Sequence, residues 1–256
     1  FKDGKVDEKT FRKLITYHID KGTDGIVPCG CTGEAAVLSV SEQKRLMKIA
    51  VETADKRLPV IAGTGSNNTS EAVELTVFAK KAGCDGALVI MPYYNKPTPE
   101  GQYRHYAEIA AKAAIPIMLY NVPSRTGLSM LPETIARLTK IDNIVAVKEA
   151  SGSPQQVMDI LALCEITVMS GDDALTLPFM SLGASGVVSV VANIIPGTVH
   201  DLVQTYLDGR DEISSNTHYG MMELGRAMFI ETNARFVNPA MAMMGLLSEE
   251  WRVPLC

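Results

Sequence analysis

A lysine stands inside a segment whose other residues belong in a buried strand: Lys148 interrupts the aliphatic run Ile144-Val-Ala-Val-Lys-Glu149. Burying an ammonium is costly and lowers its pKa, which favours the neutral amine that attacks a carbonyl to form a Schiff base. Tyr120 closes the preceding run, Ile115-Pro-Ile-Met-Leu-Tyr-Asn121, where a phenol can pass protons during imine formation. Arg125 follows in Pro-Ser-Arg-Thr-Gly, a tight turn from which a guanidinium can hold a carboxylate bidentately. The turn Gly30-Cys31-Thr32-Gly33-Glu34 lies between a strand-like run and a helix-like one. Its N–H groups and the Thr32 hydroxyl form a natural cradle for a small carboxylate. The bland readings of the same residues are a strand-end lysine paired with Glu149 or another acid, a solvated loop arginine and a generic strand-to-helix turn.

Other chemistries find less support. Cys29 and Cys31 have no His or second Cys pair nearby, and His18, His105, His200 and His218 show no His-x3-His spacing, so neither a metal nor a cofactor is expected. No Gly-x-Ser-x-Gly elbow, dinucleotide fingerprint or phosphate loop occurs. The five cysteines, Cys256 included, are scattered in apolar runs and read as reduced thiols of a cytoplasmic protein. A net charge of −5 supplies no basic field for nucleic acid. The apolar runs are far shorter than the roughly 18 to 20 residues of a membrane span. The opening Phe1-Lys-Asp-Gly-Lys has no leader character, and the missing initiator Met suggests a trimmed or partial chain. The methionines between Met221 and Met244 suggest helix packing or a subunit contact.

The elements that must position these residues follow from a repeat. Seven short aliphatic runs begin at Gly25, Pro59, Gly86, Ile115, Ile144, Ile166 and Gly186. Runs apolar on both faces predict parallel strands covered by helices. Between them, segments opening at Ser41, Ser70 and Pro132 carry helix-start signals. Alternation of this kind in 256 residues predicts a parallel α/β fold, either a closed (β/α)8 barrel or an open doubly wound sheet, and the missing dinucleotide fingerprint weakens the open sheet; the barrel would fill residues 1–195, with a helical C-terminal extension over residues 196–256. In such a barrel the active site lies at the C-terminal ends of the strands, which brings in Gly171 at the end of the Ile166 run and the polar residues around Tyr94.

Six segments carry a family resemblance: Gly-Cys-Thr-Gly-Glu (30–34), Ala-Gly-Thr-Gly-Ser-Asn (62–67), Pro-Tyr-Tyr-Asn-Lys-Pro (92–97), Tyr-Asn-Val-Pro-Ser-Arg-Thr-Gly (120–127), Val-Lys-Glu-Ala-Ser-Gly (147–152) and Ser-Gly-Asp-Asp (170–173). Together, and in this order, they resemble the dihydrodipicolinate synthase family of Schiff-base pyruvate aldolases. The resemblance implies a metal-free and cofactor-free lyase that condenses pyruvate with L-aspartate 4-semialdehyde on the diaminopimelate route to lysine. It implies Lys148 as the Schiff-base residue, Tyr120 as proton donor and acceptor, and Tyr94 as a relay tyrosine supplied by a neighbouring subunit of a homodimer or homotetramer. Thr32 would hold the pyruvate carboxylate, Arg125 that of the semialdehyde, and the Val188 carbonyl would face bound pyruvate, with Gly171 in the substrate-binding set.

Three departures accompany the likeness. Cys31 stands where the relay normally has a threonine. The family's Pro-x-Pro-x-Lys turn is replaced by Ala234-Arg-Phe-Val-Asn238-Pro239 after Glu231-Thr232-Asn233. Asn67, Glu71 and Tyr93 match an allosteric lysine site, while Val40 and Gln43 take the histidine positions of inhibitor-sensitive enzymes. The likeness also places the family's first strand ahead of Phe1 and its last helix beyond Cys256. The alternatives are a related aldolase releasing pyruvate from N-acetylneuraminate or a keto-deoxy sugar acid, and a catalytically impaired relative kept as a ligand sensor.

Overall fold

Aliphatic segments without a polar face pair side by side here in chain order. The computed structural model describes residues 1–231 and 233–255; Thr232 and the thiol of Cys256 lie outside the described residues. The strands are β1 (Ile61–Gly63), β2 (Gly86–Ile90), β3 (Ile117–Asn121), β4 (Ile144–Glu149), β5 (Thr167–Ser170) and β6 (Gly186–Val187). They form one six-stranded sheet in the order β1 to β6, every pairing parallel. The helices are α1 (Glu8–Asp20), α2 (Val40–Ala54), α3 (Thr69–Ala82), α4 (Pro99–Ala113), α5 (Pro123–Thr126), α6 (Pro132–Leu138), α7 (Pro154–Leu163), α8 (Thr176–Ser181), α9 (Pro196–Leu207), α10 (Asp211–Met228) and α11 (Ala234–Met243). Consecutive parallel strands with a helical crossover between each pair reproduce the strand–helix order of a (β/α) barrel, followed by C-terminal helices.

Residues 61–188 pack as one compact unit. Its core is the sheet with the helices laid against it: Met91, Tyr106, Ile109, Ile117, Leu119, Ile135, Leu138 and Phe179 are all fully buried. Burial raises the Tyr106 phenol far above its ordinary pKa, and its hydroxyl donates to the Val89 carbonyl at 3.2 Å, a structural tyrosine under the sheet. Side-chain caps open these helices: Thr98 accepts from Gly101 N ahead of α4, and Ser153 from Gln156 N ahead of α7, with Pro99 and Pro154 in the first turns.

Residues 1–60 and 189–256 form the other unit. Within it Cys29, Leu38 and Leu46 pack with Phe1, Val6, Phe11 and Ala35. The helices expected after residue 196 are α9, α10 and α11, in which Met221, Met228 and Met241 are buried while Met243 is 88% exposed.

Two of the seven runs depart from the strand expectation. Residues 25–30 contribute only a single parallel bridge, Ile26 to Val60. Pro28 has no N–H to donate and Cys29 is left-handed at φ +59, so the run turns before it can extend a ladder. The last run is strand only at β6 and coils into a 3-10 turn at Val191–Asn193. Helix starts also shift by a residue or two. The cap of α2 is Ser39, in a capping box with Glu42, and that of α3 is Asn68, because the side chain able to reach back to the free N–H groups sets the boundary.

Candidate active site

The parallel register of β3 and β4 sets Tyr120 directly beside Lys148. Both are buried, at 6% and 9% exposure, and the Lys148 Nζ lies 4.3 Å from the centroid of the Tyr120 ring. An amine and a phenol are thus neighbours at largely buried positions, the pairing that imine chemistry needs. The stem of Lys148 runs past Gly171, which follows β5. A Cβ at Gly171 would stand 2.6 Å from the Ala150 Cβ and 3.0 and 3.2 Å from Lys148 Cε and Cγ. Gly171→Ala is therefore expected to displace the lysine stem and cost about 1–3 kcal/mol of stability by overpacking. Thermal denaturation together with kcat checks it, and an alanine variant with wild-type values would show that the neighbours yield freely.

Beyond Tyr120 and Lys148 the same two strands end in Asn121 and Glu149, both fully buried. The Asn121 Nδ2 donates to the two Glu149 carboxylate oxygens at 3.1 and 2.9 Å, and Ser151 N donates to Glu149 Oε1 at 2.7 Å. Burial pushes the Glu149 carboxyl above its ordinary range, and the donors from Ser151 and Asn121 pull against that. The carboxylate proposed from sequence as a partner for Lys148 is thus engaged by Asn121 and Ser151. Asn121 was visible only as a polar residue ending a strand, and its partner could not be read without the register.

The other candidates in residues 61–188 sit on the loops that follow the strands. Arg125 is exposed on α5, a single turn closed by Gly127 at φ +73. Tyr94 is 90% exposed and left-handed at φ +69, in a loop tied down by Asn95 Nδ2 donating to Asn67 O at 2.9 Å and Asn67 Nδ2 donating to Tyr93 O at 3.2 Å. Those bonds bring Asn67 and Tyr93 together, and Glu71 accepts from Ser66 Oγ at 3.0 Å close by in the chain. Val188 is half-buried after β6, its N–H donating to Ser170 O at 2.8 Å.

In residues 1–60 and 189–256 the Cys31–Thr32 turn is half-buried and closed by Glu34 N donating to Cys31 O at 3.1 Å. Glu34 is left-handed at φ +55 and only 8% exposed. Its Oε1 accepts from Asn238 Nδ2 at 2.8 Å, while burial raises its pKa and leaves Oε2 without a hydrogen-bond partner. The altered segment after Asn233 is thus helix α11, and its Asn238 anchors the turn. No sequence signal pointed to Asn238.

The histidines are held in structural contacts. His105 Nδ1 lies 3.0 Å from Thr69 Oγ1 and burial lowers its pKa to about 4, while His200 meets Asp24 at 3.0 Å. Among the described residues no group of three or more His, Cys, Asp or Glu is placed to hold a metal ion, Cys29, Cys31, Cys84 and Cys164 form no disulfide, and no helix is long and apolar enough to cross a membrane.

Comparison with known proteins gives a consistent result. The model of the dihydrodipicolinate synthetase family matches residues 1–256. A 4-hydroxy-tetrahydrodipicolinate synthase of Syntrophobacter fumaroxidans is 55% identical over 258 residues, covering 100% of this chain and 89% of that protein. The crystal structure of dihydrodipicolinate synthase from Aquifex aeolicus is similar with a TM-score of 0.99 at 44% identity, covering 100% of this chain and 88% of that one. The chloride-inhibited dihydrodipicolinate synthase from Acinetobacter baumannii complexed with pyruvate gives a TM-score of 0.97 at 42% identity, over 100% and 89% of the two chains.

Proposed function

The chain belongs to the dihydrodipicolinate synthetase family, and on that premise we infer that it is a lyase condensing pyruvate with L-aspartate 4-semialdehyde to 4-hydroxy-tetrahydrodipicolinate. The observation that carries this reading is the register that sets Tyr120 against a buried Lys148. The Lys148 amine adds to the pyruvate ketone and water leaves, giving an imine whose methyl group loses a proton. The resulting enamine attacks the aldehyde, and the semialdehyde's amino group then displaces Lys148 in closing the ring. Each step moves a proton, and Tyr120 is the group proposed to give and take it.

Thr32 is proposed to hold the pyruvate carboxylate, with the Val188 carbonyl facing the bound substrate and Gly171 leaving it and the lysine room. Arg125 is proposed to take the carboxylate of the semialdehyde bidentately. Borohydride reduction in the presence of pyruvate, followed by peptide mapping, tests the reading. The expected adduct is on Lys148, and an adduct elsewhere or nowhere overturns it. Consumption of aspartate semialdehyde, as against release of pyruvate from a sugar acid, separates condensation from the related aldolases.

The exposed Tyr94 supports assembly as a homodimer or homotetramer in which one subunit's tyrosine completes the relay of the next, because an aromatic side chain held outward at a left-handed position has its use outside its own protomer. The scattered, unbridged cysteines support a cytoplasmic location. Cys31 is proposed to occupy the relay between Tyr120 and that partner tyrosine. A thiol is a weaker hydrogen-bond donor and acceptor than a hydroxyl, so Cys31→Thr is expected to raise kcat, and a fall in kcat counts against Cys31 as a relay member. Asn67, Glu71 and Tyr93 are proposed as what is kept of a lysine-binding site, and the histidine positions of inhibitor-sensitive enzymes hold Val40 and Gln43, which carry no imidazole. Inhibition by added L-lysine is accordingly expected to be shallow, and a flat titration shows the site is lost.

A further inference from the structure

Asn121 and Glu149 face each other one step beyond Tyr120 and Lys148 in the same register. Asn121 spends every polar atom. Its Nδ2 bridges the Glu149 carboxylate and lies 3.2 Å from Ser129 Oγ, and its Oδ1 accepts from Met130 N at 2.9 Å. Gln156 Nε2 of α7 holds the other side of that peptide, donating to Met130 O at 2.7 Å. Residues 129 and 130 belong to the segment between α5, which carries Arg125, and α6. One buried amide therefore connects the strand of the tyrosine, the strand of the lysine and the segment following the arginine.

We propose that Asn121 and Glu149 are positioning residues for the condensation, an amide–carboxylate clamp that fixes Tyr120, Lys148 and the Arg125 turn relative to one another. This assignment rests on the lyase reading given above. The groups meeting Glu149 are donors: the Asn121 amide, the Ser151 N–H and hydroxyl, and the Gln156 amide. An acceptor-only carboxylate suits that arrangement, whereas an amide at 149 would set its own NH2 against that of Asn121. Burial raises the Glu149 pKa, and these donors oppose that rise by stabilising the charged form. Unsatisfied polar atoms in such a place are expensive, which makes the clamp stiff.

The test is a swap. Glu149→Gln, Asn121→Asp and Asn121→Ala are compared with the double variant Asn121→Asp, Glu149→Gln, which exchanges amide and carboxylate, keeps the net charge and again sets one NH2 group against a carboxylate. Assays run well below each variant's melting temperature. Glu149→Gln and Asn121→Asp are each expected to lower kcat about tenfold or more, and the double variant to recover to within about threefold of wild type, as coupled partners do. Asn121→Ala, which frees the Met130 peptide, is expected to raise KM for aspartate semialdehyde about tenfold while KM for pyruvate stays within about twofold. Losses confined to melting temperature, or a double variant no better than the worse single one, overturn the clamp. Borohydride trapping of wild type is read first, because its failure overturns the lyase reading itself and the assignment with it.

Discussion

Lys148→Gln eliminates condensation and the borohydride-trapped pyruvate adduct together, with kcat/KM reduced at least about 10³-fold, equivalent to roughly 4 kcal/mol of barrier. The case rests on atoms rather than on shape. Glutamine is neutral and polar, and nearly long enough to follow the lysine stem past Gly171, so the buried position stays filled. What it lacks is a nitrogen lone pair free to add to a ketone, because the amide delocalises it. Among the described residues no other lysine is placed in a strand of the sheet, so substitution at 148 leaves these strands with no amine to take over. A variant retaining more than about one tenth of wild-type kcat/KM, a loss of only about 1.4 kcal/mol, would mean that catalysis does not pass through an imine at this residue. Melting temperature serves as the control, and the two proteins are expected to unfold within a few degrees of each other.

Tyr120→Phe separates the hydroxyl from the ring. The phenyl face remains beside the Lys148 Nζ, 4.3 Å away in the native protein, so the amine's packing and its contact with aromatic density persist. Only the hydroxyl proposed to carry the proton goes. A positioned acid–base group contributes typically about 10²–10⁴-fold, and kcat is expected to fall by about 10² or more within that range. Pyruvate should still be trapped on Lys148, more slowly, because the amine is intact and water can carry protons poorly in place of the phenol. Loss of the adduct altogether would show that Tyr120 holds the lysine rather than serving it, and an unchanged kcat would remove Tyr120 from the proton path.

The strands and the two central residues were legible because burial on both faces leaves a strong trace. Lys148 in Ile-Val-Ala-Val-Lys-Glu and Tyr120 at the end of the neighbouring run are polar exceptions in apolar text, and in-register parallel pairing turns that pattern directly into adjacency. The first run failed for a local reason, Pro28 and the left-handed Cys29, which hydrophobicity does not record. Partnerships were harder. Asn121 meets Glu149 across 28 positions, and Asn238 meets Glu34 across 204, and neither distance has a sequence period. Gly171 appeared as a strand-end residue, yet its role depends on a lysine stem 3.0 Å from a side chain it does not have. Tyr94 was legible as a type and a motif, while its exposure and backbone strain belong to the fold.

The hydrogen bond from Asn238 to Glu34 sets an order of events during synthesis. At about 5–20 residues per second on the ribosome, the 204 positions between them take roughly 10–40 s to emerge. Throughout that interval the nascent Gly30–Glu34 turn lacks its anchor, and a carboxylate destined for burial stays in water, where its charge is better accommodated. The segment bearing Thr32 therefore leaves the ribosome well before the residue that anchors it, and a ribosome stalled before residue 238 holds a chain whose sheet can already pair but whose Gly30–Glu34 turn still lacks that bond.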